Sequence, residues 1–405
     1  MIAASPAPAW IRRAVAASIV GYVMFAATIP SPLYALYGES WHYSSSVGSL
    51  LFAGYAFGAC IALPLSAPLS DRIGRTPILL TGLGVSVAGA GLFVIGDSPA
   101  PVFVARLLQG IGGAVLISSG TAALIDADDA QHPRAATLST VASAAGIALG
   151  AAVSAALAAA FAWPLAASGV LLVGVVVLLA IAVTVVRSSR AEPQVRGGAP
   201  HASSLRIAPA ARRRFMVSAL GVTAAWAAAG MTLALGPRLA GDLWGGPTPL
   251  AGAVLLALFA AASAFVQLAR RGGDGTGELA IAGVALFMGA GALAAAALLG
   301  QGLLLVVAGI AMGCGWGAGN AGALRFLEPA IPLDRRAGML SAFFLVAYLA
   351  ISLPTIATGG LTDLVGVRSS CTVLAGATAV LAGAVAVAMR RMRPERDGVA
   401  RDGAE

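Results

Sequence analysis

Lysine is absent from all 405 residues, and every one of the 25 basic side chains is an arginine. A phosphate-cradling loop built on a Gly-Lys pair is therefore excluded. Charge of either sign is scarce, at 10% of the chain against about 25% in an ordinary soluble domain. The three cysteines, Cys60, Cys314 and Cys371, all fall inside apolar runs, so they read as small packing residues and not as a disulfide framework. His42, His132 and His201 read as loop residues with no partner in sequence reach. Neither a metal cluster nor a catalytic dyad is expected from them, no cofactor is called for, and an enzyme is the least supported class. The missing lysine and the excess of alanine and glycine match a GC-rich coding sequence, so arginine in place of lysine carries little meaning at most surface positions.

Hydrophobic residues make up 59% of the chain. They arrive in blocks of roughly 20, the length at which a helix crosses about 30 Å of hydrocarbon. Twelve spans are expected, near 14–36, 47–68, 77–95, 101–124, 135–161, 165–186, 215–238, 250–268, 279–299, 303–326, 337–358 and 369–389. The first follows Arg12 and Arg13, but its apolar run is too long for a signal peptide and many more spans come after it. The fold class expected is an all-α membrane protein.

The arginines set the orientation. With the N-terminus in the cytoplasm, nearly all of them fall on the inner side, while Arg238 and Arg368 lie outside with Glu39, Asp97, Asp242 and Asp363. The net charge of +8 is thus topogenic, and nucleic acid is not a partner. Residues 187–214 form the one long polar break, rich in Pro, Gly, Ser and Arg, and read as a cytoplasmic linker. It separates a six-helix bundle over 1–186 from a second over 215–389, with a cytoplasmic tail over 390–405.

The two halves look related. One constant shift places Asp126 on Glu328, Arg134 on Arg336, Leu138 on Leu340 and Ser139 on Ser341, so that "PRAATLS" falls on "RRAGMLS". Repeated six-span units joined by a linker describe an alternating-access transporter.

Three motifs carry a family resemblance. "APLSDRIGRT" (67–76) offers Leu69, Ser70, Asp71, Arg72, Gly74 and Arg75; "ARLLQGIGGA" (105–114) offers Arg106, Gln109, Gly110 and Gly112; "GIALGAAVSAAL" (146–157) offers Gly146 and Gly150. In these positions the chain resembles the major facilitator superfamily, in particular its drug-efflux and proton-antiporter branch. It departs from that branch at Ala67, Thr76, Ala151 and Ser154, where a Gly, a basic residue, a Pro and a further Gly are expected. The last segment then reads as a small-residue face for close helix packing.

The resemblance implies two pseudo-symmetric bundles and a cytoplasmic gate of Asp71, Arg72, Gly74, Arg75, Asp126 and Arg134. In it Asp71 meets the start of span 11 near Ala337 and Gly338, and Arg75 pairs with Asp126 or Asp128. It also implies a transport path lined by spans 1, 4, 7 and 10. The candidates for substrate binding or coupling are Tyr22, Phe25, Arg106, Gln109, Gly110, Trp226, Trp316 and Asn320. A guanidinium within a span costs about 2.5–3.5 kcal/mol on insertion scales, so Arg106 should face the protein interior or a watery cavity instead of snorkelling outward. Asn320 reads equally as a ligand contact or a helix–helix hydrogen bond. The glycines of "GCGWGAGNAG" (313–322) read as packing positions. No carboxylate stands in mid-span, which leaves proton coupling open.

The implied function is secondary transport of a small organic molecule across a bacterial cytoplasmic membrane by a lipid-embedded monomer, both termini cytoplasmic. Efflux ranks ahead of uptake by symport or facilitated diffusion, and a non-transporting sensor of the same fold is the alternative from another class.

Overall fold

The computed structural model describes residues 8–73, 75–127, 132–187, 207–245, 248–270, 273–332 and 336–392. Side chains are described over that set except at 65–73, 75, 125–126, 132–136, 187, 336–337 and 391–392. The helices are α1 (Ala9–Thr28), α2 (Leu33–Ser40), α3 (Ser45–Ile73), α4 (Arg75–Ile95), α5 (Pro99–Asp126), α6 (His132–Ala160), α7 (Pro164–Arg187), α8 (Arg212–Trp244), α9 (Thr248–Ala269), α10 (Thr276–Leu299), α11 (Gly302–Leu327) and α12 (Arg336–Met392). No strand occurs among the described residues. Eleven of the described segments are long and apolar enough to cross a membrane. Leu178, Phe265, Val284 and Val380 are among the large apolar side chains left facing outward, as lipid contact requires.

Several boundaries differ from the sequence expectation. The first span is broken at residues 29–32, where Pro30 and Pro32 supply no amide to continue the helix, and α2 follows as a short separate turn. Helix α3 continues to Ile73, so Asp71 and Arg72 belong to its last turn and not to a loop. His132 opens α6. Helix α8 runs on to Trp244, which places Arg238 within it, and α10 begins early enough to include Glu278. The two segments expected near 337–358 and 369–389 run together as α12, a 57-residue helix interrupted at Gly366. There φ is 81° and ψ 167°, a conformation outside the helical region that glycine adopts without steric cost.

Helices α1 and α3–α7 pack chiefly on one another, and α8–α12 do likewise. The largest contacts between these sets are α3 against α12 and α6 against α9. In the second, Thr140 and Gln267 stand 3.5 Å apart, and Ala151 packs with Ala253 and Leu256. Small residues make the tightest crossings possible. A Cβ at Gly58 would collide with the Leu107 carbonyl, and one at Gly110 with the Tyr55 carbonyl, so α3 and α5 cross backbone to backbone. Gly146 and Gly150 do the same for α6 against the Gly21 and Phe25 carbonyls of α1. On α11, Gly313 and Gly317 lie against the backbone of α9, and Gly319 against Ala225 of α8. The glycine-rich stretch of that helix is a packing surface on several sides.

Candidate functional site

Arg106 sits about two turns into α5 and is 1% exposed. It does not snorkel. Its Nη1 donates to Gln109 Oε1 at 2.9 Å and more weakly to the Ala26 carbonyl at 3.5 Å. The 106-to-109 spacing puts both side chains on one face of the helix, so the pair is local. The guanidinium carbon lies 5.0 Å from the centre of the Tyr55 ring, a cation–π contact with α3. Arg106 Nε and Gln109 Nε2 are buried without any acceptor, and no carboxylate pairs with the guanidinium among the described residues.

Tyr55 extends this group to the other set of helices. It shares a buried cluster with Tyr348 of α12, against which Trp226 of α8 and Ile351 of α12 also pack. Trp226 meets Tyr348 edge to face, 5.0 Å between centres, and donates its Nε1–H to Asn320 Oδ1 of α11 at 3.0 Å. Arg106, Gln109, Trp226 and Asn320 are thereby brought into one polar and aromatic chain, with Tyr55 and Tyr348 as its middle links. For Asn320 the geometry is a helix–helix hydrogen bond.

The other candidates lie apart from this chain. Tyr22 is buried with its hydroxyl beside Ser86 of α4. Phe25 is half-buried against the core of α1 and its neighbours. Trp316 stacks on Phe259 of α9 at 5.5 Å, with its Nε1 buried and unpaired. Gly110 marks the α3–α5 crossing described above. Of the expected gate, Gly74 lies outside the described residues, as does Asp128, and so do the side chains of Asp71, Arg72, Arg75, Asp126 and Arg134. The linker beyond Arg187 up to residue 206 and the tail beyond residue 392 also lie outside them.

Two features escaped the sequence reading. The first is at the end of the helices opposite the arginine-rich termini. The Asp363 carboxylate of α12 accepts from the Ser45 amide at 2.6 Å, the Ser46 amide at 3.0 Å and the Ser46 hydroxyl at 2.6 Å. These are the first residues of α3, whose leading amides have no partner within their own helix. Arg238 of α8 adds a bond from Nη1 to the Ser45 hydroxyl at 2.7 Å. The α3 terminus is held from two helices at once. Beside it, Tyr43 donates to the Tyr34 carbonyl at 2.6 Å; burial pushes the Tyr43 phenol up, with Tyr34 adding to the shift and Arg238 opposing it, so the donor keeps its proton. Farther out, Arg368 and Asp242 form a half-exposed ion pair at 2.7 Å between α12 and α8.

The second feature is Glu278, in the first turn of α10 and 1% exposed. Its Oε1 accepts from Arg325 Nη1 at 2.8 Å, while Oε2 is buried without a partner. Arg325 also donates to the Arg270 carbonyl at 2.7 Å. An acid two residues after Thr276, directly following the stretch Asp274-Gly275-Thr276-Gly277, was a readable helix-start signal, since a carboxylate there meets the positive end of the helix dipole. The bonds to Ser45 had no comparable signal, because nothing local in the sequence links residues this far apart.

Known proteins agree with this architecture. The nucleoside transporter NupG superposes with a TM-score of 0.72 at 13% identity, covering 94% of this chain and 98% of that one. A bacterial homologue of the human lysosomal transporter Spinster, in an inward-facing and unoccupied conformation, gives 0.72 at 14% identity over 94% and 97%. The human organic anion transporter MFSD10 gives 0.65 at 17% identity over 93% and 99%. In sequence, the vesicular acetylcholine transporter of Homo sapiens is 42% identical over 77 residues, 19% of this chain and 14% of its own length. A probable vesicular acetylcholine transporter-B of Danio rerio is 33% identical over 119 residues, 28% of this chain and 24% of its own. The chain thus matches only a minor part of these curated relatives. The sequence pattern of the Major Facilitator Superfamily runs from residue 16 to residue 353, and this multi-pass membrane chain belongs to that family of transporters.

Proposed function

We propose that the chain is a secondary transporter that moves a small organic molecule by alternating access, with efflux as its working direction. The observation that carries the reading is the buried Arg106–Gln109 pair, joined through Tyr55 to Tyr348, Trp226 and Asn320 where the two sets of helices meet. A binding group there can be exposed to either side when the sets rock. Two six-helix bundles follow if the arms of α12 on either side of Gly366 are separate crossings, which raises the number to twelve. A single crossing of 57 residues would be about 85 Å long at 1.5 Å per residue, nearly three hydrocarbon thicknesses.

The arginine-rich end is assigned to the cytoplasm, so the bonds of Asp363 and Arg238 to α3 close the outer side. The efflux direction rests on Gly146 and Gly150 of α6, which fit the pattern of the drug-efflux branch. In that reading Asp71, Arg72, Gly74, Arg75, Asp126 and Arg134 form the inner gate, and a bacterial cytoplasmic membrane is the site of action. The chain works as a monomer, and a transmembrane proton gradient drives the cycle.

The test is a growth-inhibitor panel on cells overexpressing the wild type or Arg106→Ala, with membrane levels of both proteins matched. Raised tolerance to some compounds, lost with Arg106→Ala and lost in the wild type on adding a proton ionophore, is expected. Accumulation of the same compounds inside the overexpressing cells would reverse the direction to uptake. Equal tolerance of wild type, variant and empty vector across the panel would favour a non-transporting sensor.

A further inference from the structure

The polar atoms left unused around Arg106 each carry a hydrogen to donate. Arg106 Nε and Gln109 Nε2 can only donate, and both are buried without an acceptor. The hydroxyls of Tyr34 and Tyr55 are also buried without a partner, and the Tyr55 ring lies under the guanidinium. Gln109 Oε1, the side-chain acceptor that Arg106 reaches, is already taken by Nη1. A guanidinium in this setting normally binds a carboxylate or phosphate, whose paired oxygens match its fork. Of the described carboxylates, Glu278 is held by Arg325, Asp363 by α3, and Asp242 by Arg368. A positive charge and a surplus of donors therefore meet in one buried place with no counter-charge supplied by the described residues.

We infer that the missing counter-charge arrives with the substrate, and that the transported molecule is an organic anion: a carboxylate, phosphate or sulfonate on a flat apolar body. Its charged group pairs with Arg106 Nε and Gln109 Nε2. Its body lies against Tyr55, Tyr348 and Trp226, which share one cluster between the two sets of helices and of which Trp226 and Tyr348 meet edge to face. A cationic substrate would face the guanidinium with like charge and offer no acceptor to the waiting donors. This rests on the transport reading above, and deepens it by naming the substrate class.

The test uses purified full-length protein in nanodiscs and five probes sharing one ring: benzoate, phenyl phosphate and benzenesulfonate against benzylamine and benzamide. At least one anion should raise the thermal midpoint in a concentration-dependent way, as any ligand confined to the folded state must, while the amine and the amide do not. Arg106→Gln should abolish that rise. Gln109→Glu provides a second, independent variant, since it places a carboxylate beside the guanidinium. It should raise the midpoint of the ligand-free protein and cancel the response to anions. Stabilisation by benzylamine alone, by none of the three anions, or by anions equally in wild type and both variants would overturn the inference. Proteoliposome uptake of the same labelled probes separates the two readings. Binding of an anion at Arg106 without movement leaves this site standing and removes transport; movement of benzylamine without any effect of anions does the reverse.

Discussion

Asp363 Oδ1 lies 2.6 Å from the amide nitrogen of Ser45, so a side chain of α12 caps the first turn of α3 alongside the longer local bond from the Val47 amide to the Ser44 hydroxyl. Capping across two sets of helices differs from capping within one. It links the stability of a helix end to the closed arrangement of the pair, and opening that end must give the cap up. A Cβ at the nearby Gly359 would sit 2.5 Å from the Ser49 hydroxyl, so the same helices are in close contact one turn deeper.

Removing the cap should open this end. In a background with Cys60, Cys314 and Cys371 replaced by alanine, Ser49→Cys reports on access, because Ser49 is 4% exposed. A lost cap costs about 1 kcal/mol, so Asp363→Ala should speed alkylation of that thiol by a water-soluble maleimide about fivefold. An unchanged rate would show that Asp363 does not hold the end closed.

The bond between Trp226 and Asn320 should couple α8 to α11. Interhelical hydrogen bonds in membranes average about 0.6 kcal/mol and reach about 1.7. A double-mutant cycle with Trp226→Phe and Asn320→Ala, read by thermal or denaturant unfolding in detergent, should return a coupling in that range. Strict additivity would mean that the bond contributes nothing.

The Glu278–Arg325 pair should be lopsided. Glu278 is 1% exposed while the Arg325 side chain is 30% exposed and keeps the Arg270 carbonyl as a second acceptor. Arg325→Met strands a buried carboxylate, which costs about 3–5 kcal/mol in comparable buried pairs. Glu278→Gln leaves a cation that can still reach water, and should cost much less. Equal losses of unfolding stability in the two variants would contradict this asymmetry.

Small residues at the α3–α5 crossing should be irreplaceable where those elsewhere are not. Gly110→Ala forces a methyl against the Tyr55 carbonyl and should destabilise by about 1–3 kcal/mol. Gly84 has open space around its Cβ position, so Gly84→Ala should be neutral or gain up to about 1 kcal/mol of helix propensity. Parallel melting curves decide it.

Much of this was legible beforehand because membrane burial writes itself into composition and spacing. The apolar blocks located the helices, and the glycines at 146, 150 and 313–322 were readable as packing faces from their spacing alone. Arg106 was predictable as an interior residue because hydrocarbon penalises any other placement. What pairs with what was not legible. Tyr55 and Tyr348 have no motif around them, and their meeting depends on how α3 and α12 cross. Helix ends were misjudged wherever apolarity and helicity part company. Arg238 is polar yet still within α8, whereas the apolar run of the first span continues through a break made by Pro30 and Pro32.

The transport cycle proposed above requires the two sets of helices to separate at the Asp363 end. Spin labels on Ser40→Cys and Leu364→Cys, in the cysteine-free background and in lipid, measure that separation by pulsed electron resonance; both positions are exposed, the first at the end of α2 just before α3 and the second next to Asp363 on α12. The account predicts the short distance of the closed arrangement together with a second, longer population that grows with Asp363→Ala. A single narrow distance, identical in both proteins, would contradict it.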